Sequence, residues 1–419
     1  MGLPVTMVVL GAGARGRTLA GYAADFPGQA RVVAVAEPDP QRRDRLSAEH
    51  TVPPAARFAD WRELAARPRL ADAVLVTTPD REHAGPARAF AGLGYDVLLE
   101  KPIAPTEAEC TDLVEAVEAA GVVFGVCHVM RYSPYTATVE DVAASGVLGE
   151  IVGIEHAEPV GWWHFAHSYV RGNWRRSDAS GPSLLTKCCH DLDWLRHIVG
   201  RPALRVSSAG GLHHFTAASR PAGAADRCLD CPLEPDCPYS AVRLYLGFLT
   251  DPKRREWPLP VLTPLLTEAG VRKALREGPY GRCVYACDND VADHQVVIIE
   301  FAGGVTASLT MSAFTPMGRR RTAIMGTRGF LAGDGHQVTV TDFSTGRVRT
   351  VSPAPALGAG PGGGHGGGDY GLMAAFTNAV ATGDRSQIRS GARESLQSHL
   401  MAFAAERSRL SGCAEPVPS

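Results

Sequence analysis

Three glycines, Gly11, Gly13 and Gly16, follow the apolar run Val5 to Leu10 and open a helix-like stretch. A strand that enters a helix through Gly-x-Gly-x-x-Gly is the fingerprint of a dinucleotide site. Gly11 permits the tight turn, Gly13 lets backbone approach a pyrophosphate, and Gly16 allows close helix packing. Ala14 and Arg15 start the helix, whose unpaired N–H groups face the phosphates. Glu37 ends the next apolar run, about 20 residues on, where a carboxylate accepts ribose hydroxyls and repels a 2′-phosphate. NAD is therefore expected over NADP, although Arg42 and Arg43 lie close by. Thr78, Pro79 and His83 sit at the carboxyl end of a later strand, as cofactor contacts or as a capped helix start. Glu100-Lys101-Pro102 then places an amine where the reactive ring of a nicotinamide should lie. Taking hydride from a carbinol carbon requires removal of its hydroxyl proton. An ammonium stabilises the developing alkoxide, and an imidazole with a pKa of about 6.5 accepts the proton.

Of 42 basic residues only four are lysine: Lys101, Lys187, Lys253 and Lys273. Arginine does not give up its proton, so a lysine kept in an arginine-rich chain points to a proton-handling position. Lys187 is read as a second amine at the substrate or as a surface lysine. The segment from His164 to Arg175, read as a loop, is dense in polar and aromatic groups that suit a polyhydroxylated ring. His164, His167, Arg171 and Asn173 are its candidate substrate contacts, and His128 is grouped with them. Cys228, Cys231 and Cys237, with Cys283 as fourth ligand, have spacing suited to a tetrahedral structural Zn²⁺. Unligated thiols or a disulfide stand as the alternative.

These residues need a scaffold. Apolar runs at 5–10, 31–36, 73–77, 96–99 and 122–126 alternate with helical stretches at 15–24, 41–49, 83–93 and 106–120. That alternation predicts a doubly wound parallel sheet, a Rossmann domain over 1–128. The remainder, 129–419, is expected to form an α/β domain with a large, mainly antiparallel open sheet. Its parts are strands at 151–155, 204–209, 295–301, 305–313, 321–325 and 338–342, a helix at 183–199, a Cys- and Pro-rich insertion at 210–293, a flexible glycine-rich loop at 358–368 and two closing helices over 370–411.

At Glu100-Lys101-Pro102, preceded by Thr-Thr-Pro, the chain resembles the Gfo/Idh/MocA family of sugar and cyclitol oxidoreductases. The likeness extends through Ser145-Gly146-x-x-Gly149-Glu150-Ile151, Trp174-Arg175, His190-Asp191-x-Asp193 and Gly326-Thr327-x-Gly329. It implies a cis proline, Lys101 and His190 as catalytic amine and base, Trp174 and Arg175 as a cofactor clamp, and a homodimer or homotetramer. Many members carry an aspartate four residues before this histidine, whereas this chain has Thr186. His365-Gly-Gly-Gly-Asp369 resembles NAD-dependent glycosidases of the same fold, which implies that His365 and Asp369 reach the substrate.

A net charge of −2 and 45% hydrophobic residues give no basic surplus for nucleic acid. Apolar runs fall short of the ~20 residues a bilayer span needs. Ten cysteines with no export signal ahead of the first strand imply reduced thiols in the cytoplasm. Three readings remain: hydride transfer on a carbohydrate hydroxyl, redox-neutral hydrolysis or elimination with recycled NAD⁺, and a non-catalytic dinucleotide sensor.

Overall fold

Six strands alternate with helices in the first third of the chain: β1 (Val5–Leu10), β2 (Ala30–Ala36), β3 (Arg57–Phe58), β4 (Ala73–Val76), β5 (Asp96–Leu99) and β6 (Phe124–Val126). In this computed structural model, which describes residues 3–358 and 365–418, all six pair in parallel in the order β3-β2-β1-β4-β5-β6. Met7 to Leu10 and Ala73 to Val76 are wholly buried, because helices cover both faces and leave no polar side to the strands. The order reverses between β1 and β4. That reversal opens a crevice beyond their carboxyl ends, the place where ligands bind in such sheets.

Nine further strands form the second sheet: β7 (Ile151–Pro159), β8 (Ala203–Gly211), β9 (His294–Phe301), β10 (Thr306–Ser312), β11 (Arg321–Gly326), β12 (Gly329–Gly333), β13 (Val338–Asp342), β14 (Val348–Val351) and β15 (Glu415–Pro416). Their order is β14-β13-β12-β11-β7-β10-β9-β8-β15, and only β7 with β10 is parallel. The α/β class, the Rossmann sheet and the mainly antiparallel second sheet agree with the sequence reading. Helices Ser183–Val199 and Ala392–Ser411 pack together and against this second sheet. Val152, Leu204, Val296 and Ile298 are exposed on its strands.

Two segments differ from expectation. The stretch read as a loop after β7 is helical: Trp162–Phe165 runs into a π-helical turn over Ala166–Arg171. The 210–293 insertion holds several short helices around a small core of Cys228, Ala241, Tyr245, Leu259, Val271 and Leu275. Of the closing helices, Gly368–Thr382 buries Tyr370, Leu372, Met373 and Phe376 in the core that contains Met7, Val9 and Leu19. It thereby carries Asp369 to the first sheet. Within the expected flexible loop at 358–368, residues 359–364 lie outside the described residues. Among the described residues, no helix is long and apolar enough to cross a membrane.

Candidate active site

The glycine turn has the shape its sequence requires. Gly11 has φ +89, and a Cβ there would meet the Thr77 carbonyl oxygen at 2.5 Å. A Cβ on Gly16 would stand 2.0 Å from the Gly11 oxygen, so the helix seats on the turn only without a side chain. Gly13 is the contrast, with nothing within 4 Å of its Cβ position. It caps helix Ala14–Asp25 with no side chain bonded to the free N–H groups. An open backbone cradle on a helix N-terminus fits a pyrophosphate. Glu37 lies beside it, 6% exposed. Its two carboxylate oxygens accept from the Ala12 N–H at 2.7 Å and the Asp39 N–H at 3.0 Å. Arg43 donates to the Glu37 carbonyl at 2.6 Å, and Arg42 reaches only Asp39, at 3.6 Å.

The neighbouring turns are stapled together. Thr77 donates to the Leu10 and Gly11 carbonyls, and the Thr78 hydroxyl to the Glu82 carbonyl. Pro79 opens the short turn Asp80–Glu82. Both ring nitrogens of His83 face carbonyls, Pro102 at 2.6 Å and Thr78 at 2.9 Å. His83 therefore ties the Thr-Thr-Pro loop to Glu-Lys-Pro and has no nitrogen left for a cofactor, which corrects its assigned role. The Lys101–Pro102 bond is cis. Arg15 donates to Glu100 at 2.6 Å and to Asp369 at 2.7 Å, so its guanidinium is spent on joining the glycine turn, β5 and the closing helix.

Lys101 Nζ donates to the Thr186 carbonyl at 2.5 Å, one helical turn before His190. Helix Ser183–Val199 is almost wholly buried, with His190 5% exposed. Burial, then Lys101, His365 and His128, push the His190 imidazole well below its ordinary range. It is consequently neutral near pH 7, the form that accepts a proton. Its Nδ1 is buried without a partner, and no carboxylate bonds to the ring among the described residues. A different histidine carries the carboxylate. His365 Nδ1 stands 3.1 Å from Asp369 Oδ2, and its ring centre lies 5.7 Å from that of His190. His128 sits at 5.8 Å from His190, fully buried beside His399 and Asp193. Burial pushes it down to about 4, and it belongs to the layer beneath His190 and not to an open substrate wall.

Lys187 is no free surface lysine. Its Nζ lies 3.3 Å from Glu158 at the end of β7, and Glu158 also pairs with Arg320 at 2.9 Å. Arg320 continues to Asp191 at 2.5 Å, and Asp191 to His156 at 3.0 Å. Burial lowers Arg320, but Asp191 and Glu158 outweigh it and keep the guanidinium charged. Glu158, Asp191, His156 and Arg320 escaped the sequence reading, since Asp191 and Arg320 stand 129 positions apart. Asp191 and His190 are neighbours in one recognised motif, and that was the one available signal. His164 joins this group: Lys187 and burial hold its imidazole well below the usual range, and its ring meets Trp257 of the insertion edge-on at 5.0 Å.

Other assigned residues go elsewhere. Trp174 donates to Asp80 at 2.8 Å and so spans from the second domain to the Thr-Thr-Pro turn. Arg175 does not follow it, being held bidentate by Asp288 at 2.8 and 3.1 Å. His167 bonds Tyr245 at 2.8 Å and stacks on Tyr280, inside the contact between the π-helical turn and the insertion. Asn173 is exposed. Arg171 is 1% exposed and donates to the Arg282 and Tyr239 carbonyls, both at 2.8 Å, and to Cys228 Sγ at 3.5 Å. His167 and Arg171 thus spend their polar groups on Tyr245, Arg282 and Tyr239 of the insertion, which speaks against the substrate contacts assigned to them. Arg171, Cys228, Cys231, Cys237 and Cys283 line one cavity of about 260 Å³. Yet among the described residues no three His, Cys, Asp or Glu side chains are gathered as a metal site. The four thiols do not stand ready-made for zinc. A larger concavity on the second sheet, about 610 Å³ and lined by Glu155, Arg321 and Asp334, includes neither Lys101 nor His190.

A Rossmann sheet, a glycine cradle, a lysine beyond β5 and a histidine on helix Ser183–Val199 define a dinucleotide-binding scaffold. The chain belongs to the Gfo/Idh/MocA family: the oxidoreductase-family NAD-binding Rossmann fold matches residues 5–128, and that family's C-terminal alpha/beta domain matches 143–352. It is 31% identical over 143 residues to a 2,7-anhydro-N-acetylneuraminate hydratase of Escherichia coli (strain K12), covering 34% of this chain and 37% of that protein. It is 28% identical over 142 residues to a levoglucosan dehydrogenase of Pseudarthrobacter phenanthrenivorans, covering 34% and 36%. The matches thus span little more than a third of those relatives' length. In three dimensions it resembles a levoglucosan dehydrogenase in complex with NADH and levoglucosan, with a TM-score of 0.72 at 19% identity over 99% of this chain and 100% of that one. At that identity the likeness speaks for the fold.

Proposed function

We propose that this protein moves hydride between NAD and a hydroxyl of a sugar, cyclitol or glycoside. The reading is carried by the Lys101 amine, held one helical turn from a neutral His190, next to a glycine cradle that fits a pyrophosphate. Bound NAD⁺ supplies the hydride acceptor. The backbone at Gly11, Gly13 and Ala14 would hold its phosphates, and Glu37 would face its ribose.

His190 takes the hydroxyl proton of the substrate as base. Lys101 stabilises the oxygen as negative charge develops on it, with the Thr186 carbonyl fixing the ammonium. Lys187, Glu158 and His164 offer donors and an acceptor to further hydroxyls, and Trp257 offers a flat apolar face. Trp174, through Asp80, closes the crevice at the cofactor side. NADH absorbance that rises when free sugars and cyclitols are added with NAD⁺ tests this; binding of NAD without turnover on a broad panel rejects it in favour of a sensor.

The Lys187–Glu158 pair supports a second reading, since a cation–carboxylate couple can move protons at a neighbouring carbon. Under it, transient oxidation labilises a C–H bond, elimination or hydrolysis follows, and hydride returns. Release of aglycone or water-adduct products with no NADH accumulation selects this reading.

Three finer assignments belong here. The exposed apolar residues of the second sheet support a homo-oligomer, dimer or tetramer. Ten unpaired cysteines support a reducing, cytoplasmic setting. In the insertion we assign a structural Zn²⁺ to Cys228, Cys231, Cys237 and Cys283, whose thiols must draw together to ligate it. Its support is Arg171, a buried cation that faces these thiols and has no carboxylate partner among the described residues.

A further inference from the structure

Oxidation of an alcohol frees one proton per turnover, and His190, which receives it, is buried. The base must be emptied before the next substrate arrives. The layer beneath His190 offers Asp193, 3.9 Å from His128, but Arg131 already holds it bidentate at 2.6 and 2.7 Å. Lys101, on the other side, is engaged with the Thr186 carbonyl.

His365 has what the exit needs. Its ring centre is 5.7 Å from that of His190, within reach through one water, and its side chain is 36% exposed. Asp369 accepts from Nδ1, which fixes the tautomer and leaves Nε2 as the acceptor. Asp369 is itself anchored: it is fully buried, and its other oxygen accepts from Arg15 at 2.7 Å. Burial raises the Asp369 carboxyl, but Arg15 and His365 outweigh that and hold it ionised. Arg15 is braced in turn by Glu100, whose second oxygen accepts the Lys101 backbone N–H at 3.0 Å. The charged and titratable groups around His365 are therefore Asp369 and Arg15 on one side and His190 and Lys101 on the other.

We propose that the His365–Asp369 pair is the proton outlet of the site. The proton passes from the substrate hydroxyl to His190, from His190 to His365 Nε2, and from there to water. No electron moves in these steps. This role rests on the hydride-transfer reading above. It makes His365 a positioning and relay residue, distinct from the groups that touch the reacting carbon.

The test is His365→Gln, which leaves Asp369 and Arg15 paired. Steady-state kcat for oxidation in weak buffer should fall about tenfold or more. Added imidazole should restore it in proportion to concentration, which a merely structural loss would not show. An unchanged kcat, or a loss that imidazole does not reverse, overturns the outlet alone. A wild-type enzyme that oxidises no sugar or cyclitol overturns the hydride-transfer reading and the outlet with it.

Discussion

Two arginines make an instructive contrast. Arg15, at the glycine turn, is clamped between Glu100 and Asp369. The same matching repeats around it: Arg131 with Asp193, Arg320 with Asp191 and Glu158, Lys187 with Glu158. Arg171, at the end of the π-helical turn that packs on the insertion, is more deeply buried and meets carbonyls and a thiol, with its Nη1 unpartnered. A buried charge costs several kcal/mol unless something opposite offsets it, as the matched pairs do near the crevice. Around Lys101 and His190 that compensation is internal to the protein, so the geometry is preorganised for chemistry. Around Arg171 no carboxylate among the described residues offsets the charge.

The sharpest test of the first region lies at its centre. Lys101→Ala should lower kcat roughly a hundred- to a thousandfold by removing charge stabilisation. His190→Ala should cost about a hundred- to ten-thousandfold by removing the base. NADH fluorescence titration should find cofactor binding nearly unchanged in both. Because His190 is pushed below 6.5, its neutral form persists as pH falls, so kcat/KM for oxidation should hold past pH 6.5 and decline only below it. Wild-type rates in both variants, or an acid limb above pH 6.5, would show that the proton goes elsewhere.

How much of this was legible beforehand follows the same division. Five of the six Rossmann strands are apolar runs that local pattern named, with the glycine turn and the Thr-Thr-Pro and Glu-Lys-Pro loops they carry; β3, two residues long, was missed. Lys101 and His190 were legible because each sits in a short motif. Glu158 and Arg320 were not: their meaning arises when β7 and the start of β11 bring them to one helix. β12 and β14 were missed for local reasons, one being short and glycine-flanked and the other exposed and polar. His167 and Arg171 were misplaced because their segment was read as a loop. A π-helical turn changes the angular spacing of side chains, and nothing in the residue types announces it.

Arg171 offers the next largest effect. If Zn²⁺ on four thiolates supplies the missing negative charge, Arg171→Met should weaken zinc retention about ten- to a hundredfold against a competing chelator. Stripping the metal from the wild type should lower its Tm by several degrees, since the insertion's own core is small, with six buried residues. Arg15→Met should leave zinc content untouched. A stable, metal-free wild-type preparation would break the contrast. Arg171→Met would then be neutral or stabilising, as replacing an uncompensated buried charge by a well-packed apolar side chain often is.

The smallest expected effect concerns Glu37, which has two tasks at once. Its oxygens accept two backbone N–H groups that shape the turn for either cofactor, while its charge opposes only a 2′-phosphate. Glu37→Ala should therefore reduce kcat/KM with NAD and reduce it less with NADP, shifting their ratio by about tenfold, or ~1.4 kcal/mol. Arg42 is free to help, being exposed and only loosely held by Asp39, whereas Arg43 is committed to the Glu37 carbonyl. Adding Arg42→Ala should lower kcat/KM with NADP to the same degree as with NAD, removing the shift in their ratio, and leave the loss with NAD unchanged. Equal losses with both cofactors in the single variant would mean that Glu37 shapes the turn and does not read the ribose.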